Sequence, residues 1–263
     1  MATHPALPAV ASYPDLAGKV TVVTGGSKGI GAATSLLLGR NGVRVAVGGR
    51  DQSSIDEVVG EIQRAGGEAR GYSADITSFA ETESLRDRVE KDLGPTDIVI
   101  AFAGGFLGIK PLWEIEEDDW RSTIDSNLTS TFLTLKAFLP GMIERRSGSV
   151  VTMASNAGRL LDMRVTASYA ASKAGIAMLT RHAALEVGEF GVRVNCVAPA
   201  TTLSARVERN LPPERLEQLA QMAPLRRLGT PEDTAQAAVF LASEAAGWMT
   251  GVTIDVAGGR TML

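Results

Sequence analysis

The sequence predicts an α/β protein: a doubly wound, seven-stranded parallel sheet in a single domain, with helices on both faces. Three observations predict it. Short β-branched runs alternate with longer stretches of helical spacing along the whole chain. The strand-like runs are apolar throughout rather than every second residue, which marks strands buried on both faces. The first run opens into a glycine turn that leads straight into a helix, the opening unit of a parallel sheet with right-handed crossovers.

Val20–Thr24 is the first strand and ends at Gly25-Gly26. Ile30–Arg40 is a helix closed by Asn41-Gly42, and Val43–Val47 is the second strand. Ser53–Ala65 places Ile55, Val58, Val59 and Ile62 at helical spacing, and Gly66-Gly67 ends it. Ala69–Ala74 is a third strand. Ser78–Leu93 is an amphipathic helix with a serine cap and a Gly94-Pro95 stop. Ile98–Ala103 is the fourth strand, and Glu117–Arg146 reads as one long helix with Pro140 late in it. Ser149–Met153 is the fifth strand, Tyr169–Phe190 an alanine-rich helix, and Val192–Val197 the sixth strand. Pro231–Ser243 is a helix with proline in its first turn. Val252–Val256 is the seventh strand.

Residues 1–14 hold three prolines and read as an extended arm; residues 15–263 read as one domain without repeat or linker. Within it, Ala198–Leu228 contains Pro199, Pro212, Pro213 and Pro224 and interrupts the alternation. Ala205–Arg209 and Glu214–Met222 predict two short helices there, forming a lid over a ligand site.

Composition narrows the function. The 263 residues carry 26 Lys+Arg against 30 Asp+Glu, a net charge of −4 that lacks the basic footprint of a nucleic-acid binder. The single cysteine, Cys196, has no disulfide partner in the chain, and with His4 and His182 it cannot make a zinc site of the usual kind, so no metal is expected. No apolar run reaches the ~18–20 residues of a membrane span. The first residues lack the basic start and apolar core of a secretory signal. A reducing, cytoplasmic location is expected.

Gly25-Gly26-Ser27-Lys28-Gly29-Ile30-Gly31 joins the first strand to the first helix. Glycines there let main chain approach a phosphate, and the helix start favours negative charge. The spacing G-x-x-x-G-x-G departs from G-x-G-x-x-G, and a tight turn without ligand is the alternative, which its place after the first strand of a βαβ unit disfavours. The second strand then runs Val47-Gly48-Gly49-Arg50. An acid at its end would bind the ribose hydroxyl of NAD; Gly49 stands there instead. Arg50 and Lys28 offer cations to a 2′-phosphate. The balance favours NADP(H), while Asp51, one residue on, leaves NAD open.

Tyr169 and Lys173 are four residues apart and share one helix face. An ammonium near a phenol lowers its pKa from about 10 and fits it for proton transfer. Ser155 follows the fifth strand, at the carboxyl edge where such sheets bind ligands. Asn127 sits inside a predicted helix against its propensity.

Taken together, TGGSKGIG at Thr24–Gly31, Asp75 after the third strand, AGG at Ala103–Gly105, Asn127, Ser155, YAASK at Tyr169–Lys173, NCVAPA at Asn195–Ala200 and TGVTIDVAGG at Thr250–Gly259 resemble the short-chain dehydrogenase/reductase family. The resemblance spans Asp15 to Gly259. It implies a Rossmann fold and a hydride-transferring enzyme acting on a small carbonyl or alcohol. Tyr169 would be the acid/base, and Lys173 a ribose ligand that lowers the tyrosine pKa. Ser155 would hold the substrate oxygen, and Asn127 would anchor a water-linked proton relay through Lys173. The implied cofactor contacts are Gly25, Ser27, Lys28, Gly29, Ile30 and Gly31 in the first turn, then Arg50, and Asp75 with Ile76 beside the adenine. Ala103, Gly104, Tyr169, Lys173, Pro199, Ala200 and Thr202 complete them. The resemblance also implies a homotetramer packed through the helices at Glu117–Arg146 and Tyr169–Phe190.

Three departures stand out. Ala101-Phe102-Ala103-Gly104 replaces the family's usual N-N-A-G, Ala200 follows Pro199 where glycine is usual, and Ser155 precedes Tyr169 by fourteen residues rather than the commoner thirteen. With that spacing, Ser155 or Asn156 faces the site, and the S-x-A-G frame favours Ser155. Phe106, Leu107, Trp113, Leu160, Leu161, Met163, Met222 and Trp248 are candidates to line an apolar substrate site or to be ordinary core. Three functions compete: a general ketoreductase, a 3-oxoacyl-thioester reductase, and a non-catalytic NADP-sensing protein. The arginines Arg206, Arg209, Arg215, Arg226 and Arg227 lend the second some support as a patch for an acyl carrier, offset by Glu208, Glu214 and Glu217.

Overall fold

Strand β1 (Val20–Thr24) has all five residues buried and sits in the middle of the sheet. The computed structural model describes residues 11–106, 108–160 and 165–261, without the side chains of residues 205, 206 and 210. The other strands are β2 (Arg44–Gly49), β3 (Glu68–Ser73), β4 (Ile98–Ala101), β5 (Gly148–Met153), β6 (Val192–Pro199) and β7 (Thr253–Val256). They lie in the order β3-β2-β1-β4-β5-β6-β7, every pair parallel. The chain winds outward to β3, then returns past β1 to begin β4. The connections leaving the carboxyl ends of β1 and β4 therefore run in opposite directions, and the crevice at that switch is the usual ligand position of such a sheet.

Six of the nine α-helices of the described residues cover the two faces of the sheet. α1 (Gly29–Arg40), α2 (Gln52–Arg64) and α9 (Pro231–Ala242) cover one, with Leu38, Ile55, Ile62 and Val239 packed on Val23, Val45, Ile100 and Val197. α3 (Phe79–Leu93), α5 (Ser130–Arg145) and α6 (Ala167–Val187) cover the other, where Leu85, Phe138, Met142 and Val187 pack on Val20, Val22, Val99 and Val150. Neighbouring Val22 and Val23 thus serve opposite layers, as the twofold period of a strand requires. The Ser78 hydroxyl caps α3 by accepting from Glu81 N at 3.4 Å. Thr230 and Asp233 form a reciprocal capping box on α9.

Four differences from the sequence expectation bear on the site. β4 ends at Ala101, and Phe102 turns into the α1–α9 layer, 3% exposed. The helix expected over Glu117–Arg146 is α4 (Glu117–Ile124), one π-turn (Asp125–Thr129) and α5. Hydroxyls supply bonds there that a regular helix would take from main chain: Thr131 Oγ1 donates to Asn127 O at 2.7 Å and Ser130 Oγ to Ser126 O at 2.8 Å. β6 continues to Pro199, paired with Val256, so Ala198 and Pro199 belong to the sheet and the irregular segment begins at Ala200. α6 begins at Ala167, two residues early, because Thr166 caps it by accepting from Tyr169 N at 3.4 Å.

The two helices expected in the irregular segment are present as α7 (Ala205–Asn210) and α8 (Pro213–Gln221). Of the N-terminal arm, residues 1–10 lie outside the described residues. Tyr13 N donates to Asn41 Oδ1 at 2.8 Å and its ring leans on Phe240, laying the next residues along the domain. Among the described residues no helix is long and apolar enough to cross a membrane.

Candidate active site

The turn after β1 is shaped for close approach. Gly25 has φ +70°, and a Cβ on it would stand 2.9 Å from Ala103 Cα. The absence of a side chain lets the β1 turn touch the β4 turn at the head of the crevice, and α1 starts directly behind it. Ser27, Lys28, Gly29, Ile30 and Gly31 all lie in this turn or the first turn of α1. Such a cradle of main chain at a helix start fits the pyrophosphate of a dinucleotide.

At the end of β2, Gly49 is half-buried and Arg50 exposed. Asp51 does not turn toward the crevice. It caps α2 through Ser54, and its carboxylate meets Lys28 Nζ at 2.8 Å. The bond from Lys28, then those from Ser54, hold this carboxyl down at about 2. Lys28 is therefore already engaged, where the sequence presents it as a second available cation. Asp75 accepts from Thr77 N at 3.0 Å and Thr77 Oγ1 at 2.8 Å, which lowers its pKa. Ile76 beside it packs on the α3 side of the sheet.

The turn after β5 and the start of α6 form the second half of the site. Lys173 is 2% exposed, and its Nζ donates to Met153 O at 2.9 Å. Burial pushes its pKa down to about 8. The same Nζ lies 5.6 Å from the centre of the Tyr169 ring. Met153 ends β5, two residues before Ser155, so one contact ties lysine, tyrosine and the serine turn together. Ser155 is 7% exposed; its Oγ accepts from Ala157 N at 3.2 Å and makes long bonds to Asn156 Oδ1 (3.4 Å) and Pro199 O (3.5 Å). Gly158 lets this turn sit on α6, since a Cβ there would be 2.5 Å from Ala174 N.

Asn127 is fully buried in the π-turn. Its Oδ1 accepts from Gly105 N at 3.1 Å and its Nδ2 donates to Gly105 O at 3.0 Å and Thr123 O at 2.9 Å. The side chain thus holds the Ala103–Gly105 turn after β4, and its main-chain carbonyl takes Thr131. On the far side, Ala200 N donates to Val256 O at 3.2 Å and Thr202 Oγ1 to Ala200 O at 3.1 Å, just past the end of β6.

Candidates for a substrate lining separate. The Phe106 ring meets Tyr169 edge-on at 5.4 Å between centroids. Leu160 is half-buried beside the serine turn, while Trp113 is 85% exposed. Trp248 is a correction: it stands with Lys19, Asp97, Gly148 and Val192 at the amino ends of the strands, on the edge opposite the crevice. The chain reaches β7 from below, which is why a residue just before β7 lands there. Leu107, Leu161 and Met163 lie outside the described residues. Cys196 is buried, and burial raises its thiol pKa, against any role as a nucleophile. His182 is exposed and pairs with Glu186 at 3.3 Å. No cluster of metal-binding side chains is present among the described residues.

Two features escape a reading of sequence. The acceptor of Lys173 is a main-chain carbonyl and carries no residue signature. Arg159, after the serine turn, pairs with Asp255 on β7, 96 positions away.

Comparison with known proteins gives the family. Residues 25–261 match the family model described as enoyl-(acyl carrier protein) reductase. The 7α-hydroxysteroid dehydrogenase of Escherichia coli is 36% identical over 93% of this chain and 94% of its own. The 3-oxoacyl-(acyl-carrier-protein) reductase of Chlamydia pneumoniae is 37% identical over 94% and 98%. A crystal structure of a 3-oxoacyl-(acyl-carrier-protein) reductase with bound NAD from Brucella melitensis superposes with a TM-score of 0.89, 30% identity and 99% coverage of both chains. With its seven-stranded parallel sheet and nicotinamide-dinucleotide fold, the chain belongs to the short-chain dehydrogenase/reductase family of oxidoreductases.

Proposed function

We propose that the protein is an NADPH-dependent ketoreductase that interconverts a carbonyl compound and its secondary alcohol. The observation that carries this reading is the buried Lys173 ammonium beside the Tyr169 ring, bonded to the Met153 carbonyl two residues before Ser155. A cation held out of water next to a phenol stabilises the phenolate far more than it would in solvent. Tyr169 then gives its hydroxyl proton to the carbonyl oxygen in reduction and takes it back in oxidation. Lys173 returns a proton to the phenolate, and Asn127 fixes the turns around it. The Ser155 hydroxyl holds the substrate oxygen; its present bonds at 3.4 and 3.5 Å are long enough to be exchanged for a better acceptor. The bound nicotinamide supplies or receives the hydride.

NADPH is favoured because Gly49 offers no acid and Arg50 is exposed at the strand end. Gly25 to Gly31 would take the pyrophosphate, with Asp75 and Ile76 at the adenine and Ala103, Gly104, Pro199, Ala200 and Thr202 along the remainder. The segment from Ala200 to Leu228 closes over the substrate. A 3-oxoacyl thioester is the second substrate reading, supported by the names of the Chlamydia and Brucella relatives. Phe132 on α5 and Met178 and Leu185 on α6 are 46, 60 and 81% exposed, which supports packing of these helices in a homotetramer. We place the protein in the cytoplasm, where its lone cysteine stays reduced.

The test is loss of NADPH absorbance with a panel of cyclic ketones, aldehydes, 7-oxosteroids and 3-oxoacyl thioesters. Turnover of one class is expected; a panel without turnover overturns the reading.

A further inference from the structure

We infer that the Arg159–Asp255 ion pair is a positioning clamp that ties the serine turn to β7 and so aims Ser155 at the substrate oxygen. The inference rests on the ketoreductase reading above, in which Ser155 holds that oxygen.

Arg159 closes the turn Asn156–Gly158 through its own N–H, which donates to Asn156 O at 3.0 Å. Its Nε lies 3.0 Å from Asp255 Oδ1, and the two side chains are only 16 and 17% exposed. Among the described residues neither atom has a hydrogen-bond partner, so each faces the opposite charge in place of one. Burial pushes the Asp255 carboxyl up and Arg159 opposes that push.

Such a pair is a poor device for stability, because desolvation of two charges offsets their attraction and an apolar pair would fill the same space. What a charge pair adds is a fixed register between the parts it joins. The parts joined here are informative. Asp255 is level with Ala198, and Val256 with Pro199, at the end of β6. Ser155 Oγ reaches Pro199 O from the other side of that strand end. The clamp therefore spans β6 from the β5 side to β7, at the point where the closing segment leaves the sheet. Hydrogen bonds inside the turn, Gly158 N to Ser155 O at 3.0 Å and Ala157 N to Ser155 Oγ at 3.2 Å, set its shape but not its place over β6.

The test uses the full chain with NADPH and the panel carbonyl that the wild type reduces fastest. The double variant Arg159→Met/Asp255→Leu removes both charges and keeps an apolar filling. It is expected to melt within a few degrees of wild type and to bind NADPH unchanged. Its kcat is expected to fall roughly 10- to 100-fold, the effect of a displacement of about 1 Å at a reacting group, with KM little altered. Arg159→Lys, which keeps the charge, is expected to recover most of that loss. Because the clamp acts through Ser155, the double variant added to Ser155→Ala is expected to be no slower than Ser155→Ala alone. Full kcat in the double variant, additive losses in the triple, or a double variant that does not fold each overturns the inference; the last assigns the pair to stability. Tyr169→Phe runs beside them. If it keeps wild-type turnover, the ketoreductase reading falls; if it is inactive while the double variant keeps wild-type kcat, only the clamp falls.

Discussion

Lys28 and Asp51 are joined at 2.8 Å, linking the glycine turn after β1 to the first turn of α2. The pair stands next to Gly49, where an acid would select NAD. On the NADPH reading, Asp51 would act on the cofactor without touching its ribose, by holding a cation that a 2′-phosphate would use. Asp51→Asn keeps the helix cap, since asparagine caps as well as aspartate, and frees Lys28. It is expected to lower the NADPH KM several-fold and leave that for NADH unchanged. Arg50→Ala is expected to raise the NADPH KM about 10-fold, the loss of one charge-assisted hydrogen bond. Initial rates with both cofactors decide the matter; equal use of NADH by the wild type sinks the preference.

Tyr169→Phe removes the transferable proton and keeps the ring against Phe106. Turnover is expected to drop by at least ~10². Binding of NADPH, followed by fluorescence titration, is expected to persist. A variant with most of its activity would show that the proton comes from elsewhere.

Lys173 is stabilised in its neutral form by burial, with a pKa of about 8 against an ordinary 10.5. The unfolded chain therefore holds this proton between about pH 8 and 10.5 where the folded protein releases it, and stability rises with pH across that window. Below it, the buried charge costs on the order of 3 kcal/mol, partly returned by the bond to Met153 O. Lys173→Met is expected to be inactive yet at least as stable as wild type at pH 7 in the cofactor-free protein. The difference is expected to narrow as pH rises from 8 toward 10.5. Thermal denaturation at several pH values measures it, and a gap that ignores pH would show that burial of this charge is not the cause.

The central strands were legible because they are apolar runs between turn residues, and Val20–Thr24 needs no distant information to be read, whereas β3 (EARGYS) is largely exposed and was marked only by its place in the alternation. The glycine turn and the Tyr169–Lys173 pair were legible because their chemistry depends on local spacing. The π-turn at Asp125–Thr129 was not, since it depends on where the Ser130 and Thr131 hydroxyls find carbonyls in three dimensions. Trp248 was misplaced because exposure of an aromatic residue near β7 says nothing about which end of the sheet it occupies. Nothing local in the sequence joins Arg159 to Asp255, which meet only because β6 lies between β5 and β7.

The segment after Ala200 leaves and rejoins the sheet through a narrow neck. Leu203 N donates to Gly229 O at 2.7 Å and Gly229 N to Thr201 O at 3.3 Å, a short ladder that pins both ends of the excursion. The Arg227–Asp233 pair fixes the return into α9. Between these pins, α7 and α8 are short, and most of α8 is exposed. Leu219 is its main anchor, 7% exposed and lining a cavity of about 340 Å³ with Ala223, Val256 and Ala257. A segment held at its neck and by few apolar contacts is expected to open at small cost and to close when a ligand adds contacts. Proteolytic cleavage within residues 203–228 is expected to slow when NADPH and a substrate analogue are bound together, and less with NADPH alone. Leu219→Ala is expected to change substrate KM and selectivity more than NADPH affinity. Cleavage at the same rate with and without ligands would make the segment a fixed surface excursion, and the selectivity of the enzyme would then have to come from the serine turn and Phe106.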